Sequence, residues 1–255
     1  MPAAAPPATA ASAVTLALPL PTGWVGFSTE IVAHRGDVTV ATPNTPAALA
    51  AAFKDGADAV EFDVQETKDH QLVVLHDTDL ALNTVDCKGN VNKITYAQYR
   101  KCHTANGAVA PNLFDALKPV RDAGKRVFIH VKTVGGHHLA AQYMKAVNKY
   151  GLNRGDHVTF FSDQQDSLAE LQAAGAANIG LIFNNKYAAQ GWASNYATLV
   201  PFNTPVTAAL VRAAQARGQA VYPVDSRPLN VEQVKSLGVD GFLTNNLPNA
   251  LAVLR

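Results

Sequence analysis

The sequence predicts a (β/α)8 barrel with one inserted hairpin and a small lobe, and a doubly wound open sheet is the second choice. Three observations carry this. From residue 31 onward, short β-branched runs alternate with longer Ala/Leu-rich stretches, the rhythm of repeated βα units. The strand candidates number nine, one more than a closed eight-stranded barrel uses. Glycines stand where most of the intervening helices should stop, at Gly56, Gly124, Gly151, Gly175, Gly218 and Gly238.

In order, the strand candidates are Ile31 to His34, Ala59 to Val64, Leu72 to His76, Val127 to Lys132, His157 to Phe161, Ile179 to Phe183, Thr198 to Phe202, Ala220 to Asp225 and Gly241 to Thr244. The connection QETKDHQ between the second and third is far shorter than the dozen or so residues a parallel crossover needs, so these two form a hairpin and the excess strand is explained. Helices are expected over Thr45 to Lys54, Asn112 to Ala123, His137 to Tyr150, Gln164 to Ala174, Thr204 to Arg217, Val231 to Leu237 and Pro248 to Leu254. Segment 77–110 is polar, fits no βα unit and reads as a lobe over one end of the barrel. Residues 1–30 read as a linker and entry segment, and 31–255 as the barrel domain.

Lys and Arg total 21 against 20 Asp and Glu, a net charge of +1, so no broad basic field exists to hold nucleic acid or an anionic membrane. No apolar run approaches the roughly 20 residues of a membrane helix, so no integral membrane segment is expected. Cys87 and Cys102 do not suit a thiolate zinc site; they form one disulfide or stand as two separate buried thiols. A bridge would imply an oxidising compartment. Residues 1–13 are Ala/Pro/Thr-rich and uncharged, which fits a linker or the trimmed start of an exported protein. An extracellular location is therefore expected, with a cytoplasmic one as the alternative.

Reactive groups of such a barrel lie at the C-terminal ends of its strands. Those ends carry His34 and Arg35, then Glu61 and Asp63, His76, His130 and Lys132, Ser162, and Asp225. Glu61 and Asp63 are two apart on a strand, so both carboxylates project from one face, spaced to share a hard cation. A hairpin turn near Lys68-Asp69 returns His76 level with Asp63. Two imidazoles flanking a cation describe a general acid and base, and Arg35 and Lys132 favour a phosphoryl substrate, although both have a structural alternative as ion-pair partners of the carboxylates.

The strings IVAHRG, PNTPAALAAAF and GADAVEFDVQETKDHQLVVLHD resemble the signature of glycerophosphodiester phosphodiesterases, which reads HRG, PENT, then E-x-D-V and V-V-x-H-D. VKT at 131–133, FFS at 160–162, YPVD at 222–225 and GVDGFLTNNLP at 238–248 are similar to the later family blocks. The resemblance implies a barrel with an inserted lobe, His34 and His76 as the acid/base pair, and Arg35 and Lys132 as phosphate contacts. Glu61 and Asp63 would be ligands of a divalent cation, usually calcium or magnesium. Ser162 is a candidate substrate contact through its hydroxyl, and Tyr222, with Trp192, a candidate apolar wall for the alcohol or glycerol moiety. The implied substrate is a small glycerophosphodiester, split into glycerol 3-phosphate and an alcohol.

Two positions depart from the pattern. His130 stands where the family has a third carboxylate, either as a metal ligand or as a group that orients one. An imidazole there lowers the anionic charge and shifts the set toward zinc or manganese, predicting weak calcium binding. Pro43 replaces the glutamate of PENT. A lysophospholipase D or sphingomyelinase D shares the histidines and carboxylates but calls for exposed apolar loops, whereas NTVDCKGNVNK and FNNKYAAQ are mostly polar. A non-catalytic phosphate-binding module is the alternative from another class.

Overall fold

The computed structural model describes residues 29–133, 139–226 and 229–255. Most of the N-terminal segment and His137, where the sequence predicts a helix to start, lie outside the described residues. In chain order the elements are β1 (Glu30–Ala33), α1 (Pro46–Asp55), β2 (Ala59–Glu66), β3 (Leu72–Val74), α2 (Tyr96–Tyr99), α3 (Leu113–Ala123), β4 (Arg126–Val131), α4 (Ala140–Lys149) and β5 (Val158–Ser162). There follow α5 (Gln165–Ala173), β6 (Asn178–Phe183), α6 (Ala188–Trp192), β7 (Thr198–Pro201), α7 (Ala208–Gln215), β8 (Ala220–Val221), α8 (Val231–Leu237), β9 (Gly241–Thr244) and α9 (Leu247–Leu254).

Eight strands run parallel in the order β8-β7-β6-β5-β4-β2-β1-β9. The ring closes through a single parallel bridge, Val224 with Leu243, where Leu243 N donates to Pro223 O at 3.0 Å and Asp225 N to Leu243 O at 2.7 Å. Among the strands β3 pairs with β2, antiparallel, with Val64 opposite Val74, and its other side bridges Asn112, so the surplus strand is the expected hairpin arm outside the ring. Extended by two residues, that register puts His76 opposite Phe62, next to Asp63.

Alternate residues of each strand face inward and outward. Val32, Ala59, Phe128, Phe161, Val200 and Leu243 meet inside the ring, while Ile31, Val60, Phe62, Ile129 and Phe160 face outward into the larger core shared with the helices. The inward set therefore continues up β2 to Glu61 and Asp63 and up β4 to His130 and Lys132. Several helices are fixed by side-chain caps: Thr45 Oγ1 accepts from Ala48 N ahead of Pro46 in α1, and Asn112 and Asp115 form a capping box on α3.

Segment 77–110 folds as two 3-10 turns and α2 around its own small core, in which Leu80, Val91, Tyr99 and Cys102 pack against Val73 and Leu75. Cys87 and Cys102 are bonded, with Cα atoms 5.6 Å apart, so two separate thiols are excluded. Closing a loop of this length is worth on the order of 3 kcal/mol in the loop-entropy model. α2 and α6 fall in segments read as loops; at four and five residues they are too short to show a hydrophobic period.

Candidate active site at the C-terminal mouth of the barrel

The HRG loop is shaped by backbone constraints. Gly36 has φ +83°, and a Cβ there would lie 2.5 Å from the carbonyl carbon of Ala48, so only glycine lets this loop rest against α1. Arg35 (φ 63°) and Asn44 (φ 60°) are also left-handed, and Asn44 N donates to Arg35 O at 3.0 Å, pinning the two loops together. This places the Arg35 N–H 3.0 Å from Glu61 Oε2, to which it donates. Asn44 grips Asp63 twice: its Nδ2 donates to Oδ2 at 2.9 Å and its Oδ1 accepts from Asp63 N at 3.0 Å.

Glu61 and Asp63 are wholly buried and face the same cluster. Asp63 Oδ1 meets His130 Nδ1 at 3.0 Å and Lys132 Nζ at 3.2 Å, while Oδ2 lies 3.3 Å from Arg35 Nε. Arg35 and Lys132 thus take up the ion-pair positions allowed for in the sequence. The cluster splits the two carboxyls electrostatically. Burial and the neighbouring Asp63 push Glu61 well above the usual carboxylate range. Burial would raise Asp63 as well, but the His130 hydrogen bond and the charges of His130, Lys132 and Arg35 hold it well below.

His34 sits on the rim with Nε2 3.7 Å from Glu61 Oε2 and Nδ1 2.8 Å from Asn245 Oδ1. Burial, with the Arg35 charge, lowers its pKa to about 4, so the ring is neutral at neutral pH. His76 enters from the hairpin side. Its Nδ1 lies 3.0 Å from Asp77 Oδ2, which leaves Nε2 as the nitrogen available for proton exchange. Its carbonyl accepts from Lys132 Nζ and from Gln65 Nε2, each at 3.0 Å. Two clefts meet at His76: one of about 410 Å³ beneath the lobe, lined also by Arg35 and Asn44, and one of about 790 Å³ lined also by His130, Lys132, Tyr187 and Phe202.

The donor set fits a divalent cation. Glu61, Asp63 and His130 each offer a ligand atom, and these atoms lie within 4.8 Å of one another. Glu61 Oε1 is buried and finds no hydrogen-bond partner among the described residues, a cost that a bound cation would remove. His130 is held for such a role by stacking on Phe161, ring centroids 4.7 Å apart.

Two of the residues expected to contact substrate are placed otherwise. The Ser162 hydroxyl is buried and donates to Val131 O at 2.5 Å while accepting from Gln164 N at 3.0 Å, so it joins β4 to the start of α5. Tyr222 lies inside the opposite end of the barrel, its hydroxyl 2.6 Å from Glu30 Oε2, over Gly241, where a side chain would collide with the ring. The stagger of barrel strands puts the end of β8 at the height of the start of β9, which strand position in the sequence does not reveal. Conversely, Asn44 and Asn245 hold site residues and were given no role from sequence. The signal available for Asn44 was an Asn between Pro and a helix-capping Thr, a residue suited to positive φ.

Comparison with known proteins agrees with the geometry. The chain is 28% identical over 245 residues to a glycerophosphodiester phosphodiesterase of Caldanaerobacter subterraneus subsp. tengcongensis, covering 90% of this chain and 99% of the relative. Its fold resembles that of a phosphodiesterase from Oleispira antarctica in complex with the product sn-glycerol-3-phosphate, with TM-score 0.76, 20% identity, and coverage of 88% and 96% of the two chains. A glycerophosphodiester phosphodiesterase from Agrobacterium tumefaciens superposes with TM-score 0.72 at 21% identity, covering 88% of this chain and 100% of the other. Residues 34–248 match the Glycerophosphoryl diester phosphodiesterase family from the HRG histidine to the last helix, and the chain belongs to that family.

Proposed function

We propose that the barrel-mouth site hydrolyses glycerophosphodiesters to glycerol 3-phosphate and an alcohol. The observation that carries this reading is the convergence of two buried carboxylates, His130, Arg35 and Lys132 on one point, between a neutral His34 and a more exposed His76. Glu61, Asp63 and His130 would hold a divalent cation, which when bound supplies positive charge to the phosphoryl oxygens. Calcium or magnesium is the ordinary choice for oxygen ligands, and the imidazole of His130 favours manganese or zinc.

Arg35 and Lys132 orient the phosphate and neutralise its non-bridging oxygens. His34 Nε2, kept unprotonated by burial, accepts the proton of the attacking hydroxyl, from glycerol or water. Asn245 fixes its tautomer from the other nitrogen. His76 donates a proton to the departing alkoxide, and Asp77 orients its ring. The Cys87–Cys102 bridge supports an oxidising, extracytoplasmic setting.

A second reading, a lysophospholipid phosphodiesterase, draws on Leu82 and Val85, which are 69% and 67% exposed on the rim of the cleft under the lobe. A substrate panel separates the two. Release of glycerol 3-phosphate from soluble glycerophosphodiesters is expected, lost in His34→Ala and His76→Ala. Turnover of lysophospholipid alone would replace the first reading with the second, and undiminished activity in both alanine variants would remove the acid/base assignment.

A further inference from the structure

Asn83 belongs to the inserted lobe, yet it holds the loop that carries His76. Its Oδ1 accepts from the backbone N–H of His76 at 3.2 Å and, more weakly, of Asp77 at 3.5 Å. Its Nδ2 donates to the carbonyls of Asp77 at 3.0 Å and Asp79 at 2.8 Å. One side-chain amide thus serves four backbone groups of residues 76–79. The barrel grips the other side, because the His76 carbonyl accepts from Gln65 and Lys132.

Only a primary amide fills this position, since the site needs an acceptor and two donors from one short side chain. Aspartate would keep the acceptor and set negative charge against the two carbonyl oxygens; alanine would remove the bond from each group, and only Asp79 O, which also accepts from Leu82 N at 3.2 Å, would keep another. Asn83 is itself anchored. Its N–H donates to Leu80 O at 3.0 Å at the end of a 3-10 turn, and Leu80 packs in the lobe core with Cys102. The chain of support runs from the disulfide-bonded core to Asn83, and from Asn83 to the main chain of His76, whose ring is 34% exposed and meets only Asp77 among the contacts described.

We propose that Asn83 is the positioning residue for His76, so that the inserted lobe assists departure of the alcohol through this one side chain. The proposal rests on the reading of His76 as the acid, and the test keeps the two apart. A leaving group such as p-nitrophenolate departs without a proton, whereas an alkoxide needs one. The kcat and KM values of wild type, His76→Ala, Asn83→Ala and the double variant are measured on an alkyl glycerophosphodiester and on glycerol 3-phosphate esterified to p-nitrophenol. His76→Ala should lose far more on the alkyl ester than on the nitrophenyl ester.

Asn83→Ala should show the same selectivity, with kcat on the alkyl ester down roughly 10- to 100-fold, the scale of a misplaced reacting group, and KM nearly unchanged. The double variant should be no worse than His76→Ala, because both changes remove one function. Equal losses by Asn83→Ala on both esters, or a double variant whose losses multiply, would overturn the proposal while leaving His76 as the acid. If His76→Ala itself fails to discriminate between the esters, the reading of His76 falls and the proposal with it. Should Asn83→Ala not fold, Asn83→Asp, which sets a carboxylate against the Asp77 and Asp79 carbonyls, must show the same preference for the nitrophenyl ester.

Discussion

The two ends of the barrel are built from the same strands and do opposite things with buried charge. β1 presents Glu30 below Val32, and His34 follows above; β4 presents Arg126 below Phe128 and His130 above, and Lys132 follows its end. At the lower end the charges close on themselves. Glu30 Oε2 accepts from Arg126 Nη1 and from the Tyr222 hydroxyl, both at 2.6 Å, and Arg126 Nε donates to Asp156 O at 2.8 Å. At the upper end, two carboxylates share one cluster of cations, and Glu61 Oε1 has no hydrogen-bond partner among the described residues. A satisfied cluster holds the fold together; an unsatisfied one is held open by the fold for a ligand. Charge type alone would not separate them, but the accounting of partners does.

The contrast makes predictions that differ in size. The largest concerns the histidines: His34→Ala and His76→Ala should each lower kcat by about 10²- to 10⁴-fold, while Tyr222→Phe at the lower end leaves steady-state kcat essentially unchanged. Next are substitutions of opposite sign in stability. Although burial raises the Glu30 carboxyl as well, Glu30→Gln leaves the buried Arg126 guanidinium without its carboxylate and should cost about 3 kcal/mol in urea denaturation. Glu61→Gln removes a carboxyl already pushed up by burial and by Asp63, so the metal-free protein should gain stability while losing activity. A loss of stability in Glu61→Gln would place both ends in the same structural class.

A third prediction uses pH. The unfolded His34 takes up a proton near its ordinary value of 6.5, whereas the folded one resists until about 4. The unfolded state therefore binds more protons between these values, and stability falls as pH falls through the window. From pH 7 to 4.5, chelated wild type should lose roughly 2 to 3 kcal/mol more than His34→Asn, at about 1.4 kcal/mol per pH unit. An identical pH dependence in the two proteins would refute the buried, neutral His34. The smallest effect is at His130. His130→Glu adds an anionic oxygen ligand and should tighten calcium binding by about tenfold or less in calorimetry; unaltered affinity would mean that His130 does not weaken the site.

Much of this was legible in the sequence because the signals were local. The hairpin followed from a connection too short to cross over, and the shared face of Glu61 and Asp63 followed from spacing along one strand. Pairing of Cys87 with Cys102 was one of two open readings, and the structure decides it. What escaped depended on three-dimensional relations. Its aromatic ring makes Tyr222 a candidate wall for the alcohol or glycerol moiety, but the stagger of the barrel and the space left by Gly241 take the ring to the lower end. Ser162 was read as facing substrate, and its hydroxyl is spent on backbone groups. Asn44 and Asn83 act through backbone and carboxylate hydrogen bonds across loops, which no spacing rule exposes. Among the described residues no helix is long and apolar enough to cross a membrane, in line with the absence of a long apolar run.

The central claim is that the upper cluster, and not the lower, is a metal-assisted phosphodiesterase site. Its most direct test is the release of glycerol 3-phosphate from a glycerophosphodiester after chelation and re-addition of calcium, magnesium, manganese or zinc, with Glu61→Gln and Tyr222→Phe assayed in parallel. We predict loss of activity on chelation, recovery with at least one of the four ions in wild type and Tyr222→Phe, and no recovery in Glu61→Gln. Full activity in chelator, or full recovery in Glu61→Gln, would contradict the account.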